Sequence, residues 1–147
     1  MMCISGRPAA FARMWGGKEA PCVRGMVKFY QRPSGVLVVA EVSGLPGNGT
    51  GFHGFHIHEG ADCGGEDFAD SGGHFNPTNT SHPMHAGDLP PLYARNGRAY
   101  LAVMTDRFCI SDIIGRTVII HSDPDDFHTQ PSGNSGKKIA CGTICRA

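Results

Sequence analysis

No apolar pattern in this 147-residue chain keeps a helical period long enough to build an amphipathic helix. Short alternating runs recur instead, each closed by glycine or proline, and that punctuation points to a sheet protein. Residues 24–30 alternate and end in the turn Gln31-Arg32-Pro33-Ser34-Gly35. Residues 36–42 form a stronger apolar run, stopped by Ser43-Gly44-Leu45-Pro46-Gly47. Residues 51–58, 98–105 and 117–121 read as three further strands. The 21 glycines and 10 prolines, with only 18% of residues charged, agree with a turn-rich, all-β chain. Two segments, 59–91 and 122–138, have no period, and long stretches of that kind inside a compact domain are usually functional or disordered. They carry or border most of the histidines. The expected architecture is one domain over residues 1–147, an antiparallel β-sandwich or barrel with two long functional loops gathered on one side.

Charge and composition exclude several function classes. Thirteen basic and thirteen acidic residues leave no net charge, hence no basic footprint for nucleic acid. No polybasic cluster or long apolar run suggests a membrane. One Trp and three Tyr give no aromatic platform for bases or sugars. Ser5, Gly6, Arg7 and Pro8 interrupt any apolar core near the start, so no signal peptide is read and a cytoplasmic location is expected. The six cysteines (Cys3, Cys22, Cys63, Cys109, Cys141 and Cys145) form no CxxC pair, and several unpaired thiols fit a reducing compartment.

The histidines carry the chemistry. Five of the eight lie between residues 54 and 88. In Gly54-Phe55-His56-Ile57-His58-Glu59 two imidazoles sit at i and i+2 of a strand, so both point to one face. His74 follows two glycines, where a tight turn can bring it close, and His121 ends the run Thr117-Val118-Ile119-Ile120. Imidazole suits copper and zinc, so His56, His58, His74 and His121 make a candidate copper site. His74, His82, His85 and Asp88 make a candidate three-histidine, one-carboxylate zinc site. His74 falls in both sets, and a deprotonated imidazole has a coordinating nitrogen for each of two metals.

These residues lie in text that resembles the copper/zinc superoxide dismutase family. The similar stretches are Gly25-Met26-Val27-Lys28-Phe29-Tyr30, Ala40-Glu41-Val42-Ser43-Gly44-Leu45-Pro46, Gly54-Phe55-His56-Ile57-His58-Glu59 and Gly73-His74-Phe75-Asn76-Pro77. They continue through His85-Ala86-Gly87-Asp88-Leu89, Gly115-Arg116-Thr117-Val118-Ile119-Ile120-His121, Gly133-Asn134-Ser135-Gly136 and Ala140-Cys141-Gly142. Order and spacing agree over almost the whole chain past residue 20, with residues 1–20 read as an N-terminal strand region that matches least, and the short segments before Asp88 and Lys138 resemble bacterial members most. The resemblance implies a Greek-key, immunoglobulin-like sandwich, one copper and one zinc per chain, and superoxide anion as substrate. It implies that His74 bridges the metals, that Asp125 hydrogen-bonds one ligand of each, and that Cys63 and Cys141 form a disulfide. Relatives of this kind are monomers or homodimers.

One position departs from the family. Lys138 stands three residues before Cys141, where an arginine beside the copper site is expected. Lysine keeps the charge and loses the planar two-pronged donor set, so anion positioning is expected to weaken. Lys138 and His74 are therefore the candidate catalytic residues. The alternative function is a non-catalytic copper/zinc-binding or chaperone-like member of the same fold; a plain structural sandwich would leave the histidines unexplained. His53 and His128 read as ordinary polar side chains, and Arg116 as a brace between loops.

Overall fold

The computed structural model describes residues 3–147; Met1 and Met2, where the single-domain and leader readings begin, lie outside the described residues. Nine strands are found: β1 Ala10–Gly16, β2 Arg24–Arg32, β3 Gly35–Ser43, β4 Phe52–His53, β5 Phe55–His58, β6 Leu92–Arg95, β7 Arg98–Thr105, β8 Thr117–His121 and β9 Lys138–Arg146. Among the described residues two short helical segments interrupt them, a 3-10 helix over Glu66–Ser71 and the four-residue α1 Ile110–Ile113. The strands hydrogen-bond in the order β4-β6-β7-β3-β2-β1-β9-β8-β5, every pair antiparallel. The chain passes from β4, at one end of that order, straight into β5 at the other, so the sheet curls into a nearly closed barrel. From β3 the chain skips β7 and β6 to reach β4, and from β7 it crosses to β8, which are Greek-key connections. The all-β reading of the sequence holds.

Alternation decides what fills the barrel. Ala10, Ala12 and Met14 of β1, Val27 and Phe29 of β2, and Val36, Val38, Ala40 and Val42 of β3 point inward. Phe55, Ile57, Val118, Ile120, Ala140 and Ile144 complete the same core from β5, β8 and β9. Each large side chain buried there stabilises the fold by about 1.5–3 kcal/mol. Residues 51–58 do not form one strand as expected. Gly54 divides them, because its amide donates to the Asp123 carbonyl and its carbonyl accepts from the His121 amide. A Cβ at Gly54 would stand 2.6 Å from Ser135 Oγ, so only glycine fits this close passage.

The outward face of β5 and β8 is also buried. With Phe55 and Ile57 turned to the core, His56 and His58 face outward and lie beneath the two long loops. A smaller apolar cluster of Cys63, Phe68, Ile119 and Cys141 packs the first loop onto the outside of β8 and β9. The Cys63–Cys141 disulfide expected from the family resemblance is present at its centre.

Candidate metal centre

His56 and His58 take their places from β5, and His121 from the end of β8, which pairs with β5 in the register His56↔Ile119 and His58↔Thr117. His74 comes beside them by a single bridge to His58, and Asp88 by a single bridge to His56. His82 and His85 lie in the loop between these two anchors. One ligand atom from each of His56, His58, His74 and His121 lies within 4.8 Å of the others, and the same holds for His74, His82, His85 and Asp88. The residues grouped in the sequence are thus brought together, with His74 in both groups.

Hydrogen bonds fix which nitrogen each ring presents. His58 Nδ1 donates to the Gly72 carbonyl at 2.8 Å and His121 Nδ1 to the Gly136 carbonyl at 3.4 Å. Both rings therefore carry the lone pair on Nε2, and these two atoms face each other at 3.3 Å. Asp125 reaches both halves of the centre, with Oδ2 2.8 Å from His56 Nε2 and Oδ1 2.8 Å from His82 Nε2. A carboxylate there holds the proton on Nε2 of both rings and leaves Nδ1 bare. His56 Nδ1, His74 Nε2 and His82 Nδ1 are buried and have no hydrogen-bond partner among the described residues. His82 Nδ1 does lie 3.0 Å from Asp88 Oδ2, but without the alignment of a hydrogen bond.

Buried lone pairs that converge without a proton between them are costly unless a cation joins them. His74 Nδ1 lies 2.8 Å from Asp88 Oδ1 and 3.2 Å from His85 Nδ1, and His85 Nδ1 lies 3.2 Å from Asp88 Oδ2. A tetrahedral zinc shell with bonds of about 2.0–2.1 Å has edges of about 3.3 Å, so this donor set fits zinc. The four-imidazole set fits copper by ligand type.

The family model described as copper/zinc superoxide dismutase (SODC) matches residues 23–144. The chain belongs to the copper/zinc superoxide dismutase family. A superoxide dismutase [Cu-Zn] of Legionella pneumophila is 39% identical over 132 residues, covering 84% of this chain and 79% of the relative. The superoxide dismutase [Cu-Zn] 2 of Aquifex aeolicus is 35% identical, covering 83% and 79%, and that of Deinococcus radiodurans 37% identical, covering 83% and 77%.

Within this superoxide dismutase fold, burial sets the protonation states. It pushes His56 down to about 4, against the opposing effect of its hydrogen bond to Asp125. Burial, followed by the neighbouring imidazoles, pushes His58 and His121 well below the ordinary histidine range. His85 is lowered in the same direction, by burial first. For Asp88 and Asp125 burial acts upward, but the hydrogen bonds to His74, and to His56 and His82, outweigh it and hold both carboxyls below their usual range. These directions favour neutral imidazoles at His56, His58, His85 and His121 and ionised carboxylates at Asp88 and Asp125, the forms that ligate metals.

Lys138 opens β9 and lies beside the centre. Its ammonium donates to Ser71 Oγ at 2.8 Å, to the Gly72 carbonyl at 2.7 Å and to the Phe68 carbonyl at 3.5 Å. Burial pushes its pKa down. Arg116 braces loops as read from the sequence, its guanidinium 4.2 Å over the Phe75 ring and bonded to the Glu59 and Asp112 carbonyls. His128 is exposed and pairs loosely with Asp126, while His53 is buried with Nδ1 bonded to the His121 carbonyl, outside both ligand groups. Arg107 and Gln130, which touch the main chain around His82, gave no signal in the sequence. Their contacts span 22 to 48 residues and involve backbone atoms, which no side-chain motif encodes.

Proposed function

We propose that this chain converts superoxide to dioxygen and hydrogen peroxide, two superoxide ions and two protons giving one molecule of each product. Copper is assigned to His56, His58, His74 and His121, and zinc to His74, His82, His85 and Asp88. Copper, when bound, supplies the one-electron couple that accepts an electron from one superoxide and returns one to the next, while zinc supplies fixed positive charge. The observation that carries this reading is the meeting of two buried donor sets at one imidazole, with a single carboxylate spanning both sets.

The chain's own residues then have distinct tasks. With Nδ1 of His74 turned to Asp88, Nε2 is the ring position left on the copper side to hold and release a proton. Asp125 keeps the His56 and His82 rings turned so that both Nδ1 atoms face inward. A cleft lined by His58, His74, His121, Pro131, Gly136 and Lys138 gives a small anion a way in from solvent. Lys138 places a positive charge on its wall.

The test is dismutation by the protein reconstituted with copper and zinc, with metal analysis of the same sample. Near one copper and one zinc per chain, and activity lost in His121→Ala, are expected. Both metals bound without activity would indicate the non-catalytic binding role instead. A cytoplasmic location belongs to the same proposal, supported by the exposed free thiols of Cys3, Cys22, Cys109 and Cys145. So does a monomeric or homodimeric state, which sedimentation would distinguish.

A further inference from the structure

The four ligands of the zinc group are not held alike. His74 and Asp88 are anchored to β5, through their bridges to His58 and His56 and through the bonds Phe75 N to Ile57 O and Ile57 N to Gly87 O. His82 and His85 lie between those anchors in a turn whose own backbone bond is Met84 N to Ser81 O. Among the described residues no backbone hydrogen bond joins β5 to this turn. The centre itself touches it through Asp125 on the His82 ring, His56 edge-on against that ring, and Asp88 Oδ2, which accepts from the His85 amide.

Two further side chains, from outside the ligand groups, hold its main chain. Gln130, from the loop before β9, brackets the main chain of His82: its Oε1 accepts from the His82 amide at 2.8 Å and its Nε2 donates to the His82 carbonyl at 2.8 Å. The same Nε2 also donates to the His128 carbonyl at 3.0 Å, within a loop already folded by Asp126 on the amides of His128 and Thr129. Arg107 approaches from the other side, donating to the Pro83 carbonyl at 2.8 Å and the His85 carbonyl at 3.3 Å, with the Met84 sulfur 3.6 Å away. Its neighbour Phe108 is buried edge-on against Phe29, which seats the arginine on the barrel core.

We infer that Gln130 and Arg107 are positioning residues that clamp the main chain of the 82–85 turn, holding His82 and His85 in the geometry that zinc requires. The inference rests on the metal assignment proposed above. Partners one step removed from a metal typically change its affinity by about 10- to 100-fold when lost. The clamps act directly on His82 and His85, whereas the copper-group residues His56, His58 and His121 take their places from β5 and β8.

The experiment uses the full chain, stripped of metal, then loaded with zinc or with cobalt(II) as an optical probe of tetrahedral geometry. Zinc release to a chromogenic chelator and copper affinity are measured for the parent, Gln130→Ala, Arg107→Ala and Arg107→Lys. Release from both alanine variants about 10- to 100-fold faster than from the parent, with an altered cobalt spectrum and copper affinity within about threefold, is the expected result. Arg107→Lys, which keeps one donor direction but not the fork, should recover part of the loss. It also serves as the readout if an alanine variant does not fold. Release at the parent rate, or equal losses of zinc and copper affinity alongside a lowered melting temperature, would overturn the inference. A parent chain that takes up neither zinc nor cobalt would defeat the metal assignment itself, a different failure.

Discussion

Lys138 has three ammonium hydrogens and three protein acceptors, Ser71 Oγ, Gly72 O and Phe68 O. An anion in the adjoining cleft therefore meets its charge but no free donor. The Gly72 carbonyl that it holds is also the acceptor for His58 Nδ1, so the lysine stabilises a ligand's orientation through the backbone. Arginine at this position has five donors in a rigid fork, enough to keep the loop contacts and leave donors for an anion. A hydrogen bond to a charged group contributes about 1.5–3 kcal/mol, so Lys138→Arg should raise kcat/KM by about tenfold and tighten azide binding in parallel. Steady-state dismutation and an azide titration check both effects. An unchanged rate would place the anion's donors elsewhere in the cleft.

Among the elements, the disulfide is the connection whose loss has the widest effect. Cys63 and Cys141 lie 78 residues apart in sequence, and their bond fixes the first loop on the outside of β8 and β9. On the chain-entropy model, closing a loop of that length stabilises the fold by about 4–5 kcal/mol. The double variant Cys63→Ala/Cys141→Ala should lower the urea midpoint accordingly, and loosen the Gly72 carbonyl that orients His58. Urea denaturation of the parent and the variant, both metal-free, measures the first effect, and a similar midpoint for the two would contradict it. Which elements were legible in the sequence follows from how each is buried. β2, β3, β7 and β8 were readable because β2, β3 and β7 largely alternate and the apolar run of β8 is bounded by turn signals. β9 was not, since consecutive residues 139–142 are buried and Gly142 sits where a side chain would strike Met14 and the Arg13 carbonyl. β1 turns only Ala10, Ala12 and Met14 inward, too small an apolar signal to exceed a weak strand reading, and β6 is four residues long. The ligands could be grouped from residue type and spacing, whereas the clamps on the 82–85 turn could not.

For the molecule as a whole, the centre ties stability to pH. Folding buries His56, His58 and His121 in neutral form, with His56 at about 4 and the other two well below their ordinary value near 6.5. Above pH 6.5 both the folded and unfolded chains carry these rings uncharged, and the pH has no hold on them. As pH falls below 6.5 the unfolded chain takes up protons that the folded chain refuses, so stability declines, for His56 until about pH 4. Within that window each imidazole contributes a slope of about 1.4 kcal/mol per pH unit. Asp88 and Asp125, held below the usual carboxyl range, act at lower pH: their contribution is complete above the unfolded value near 3.8 and is lost as pH falls further. The metal-free protein should therefore lose several kcal/mol between pH 7 and pH 5, seen as a falling urea midpoint. Bound metal adds stability by mass action and needs the same rings deprotonated, so the metal-loaded protein should be more stable at pH 7 and converge on the metal-free one in acid. Urea midpoints measured from pH 4 to 8, with and without chelator, test both statements; a metal-free midpoint that stays level from pH 7 to 5 would mean that the imidazoles are not buried in neutral form.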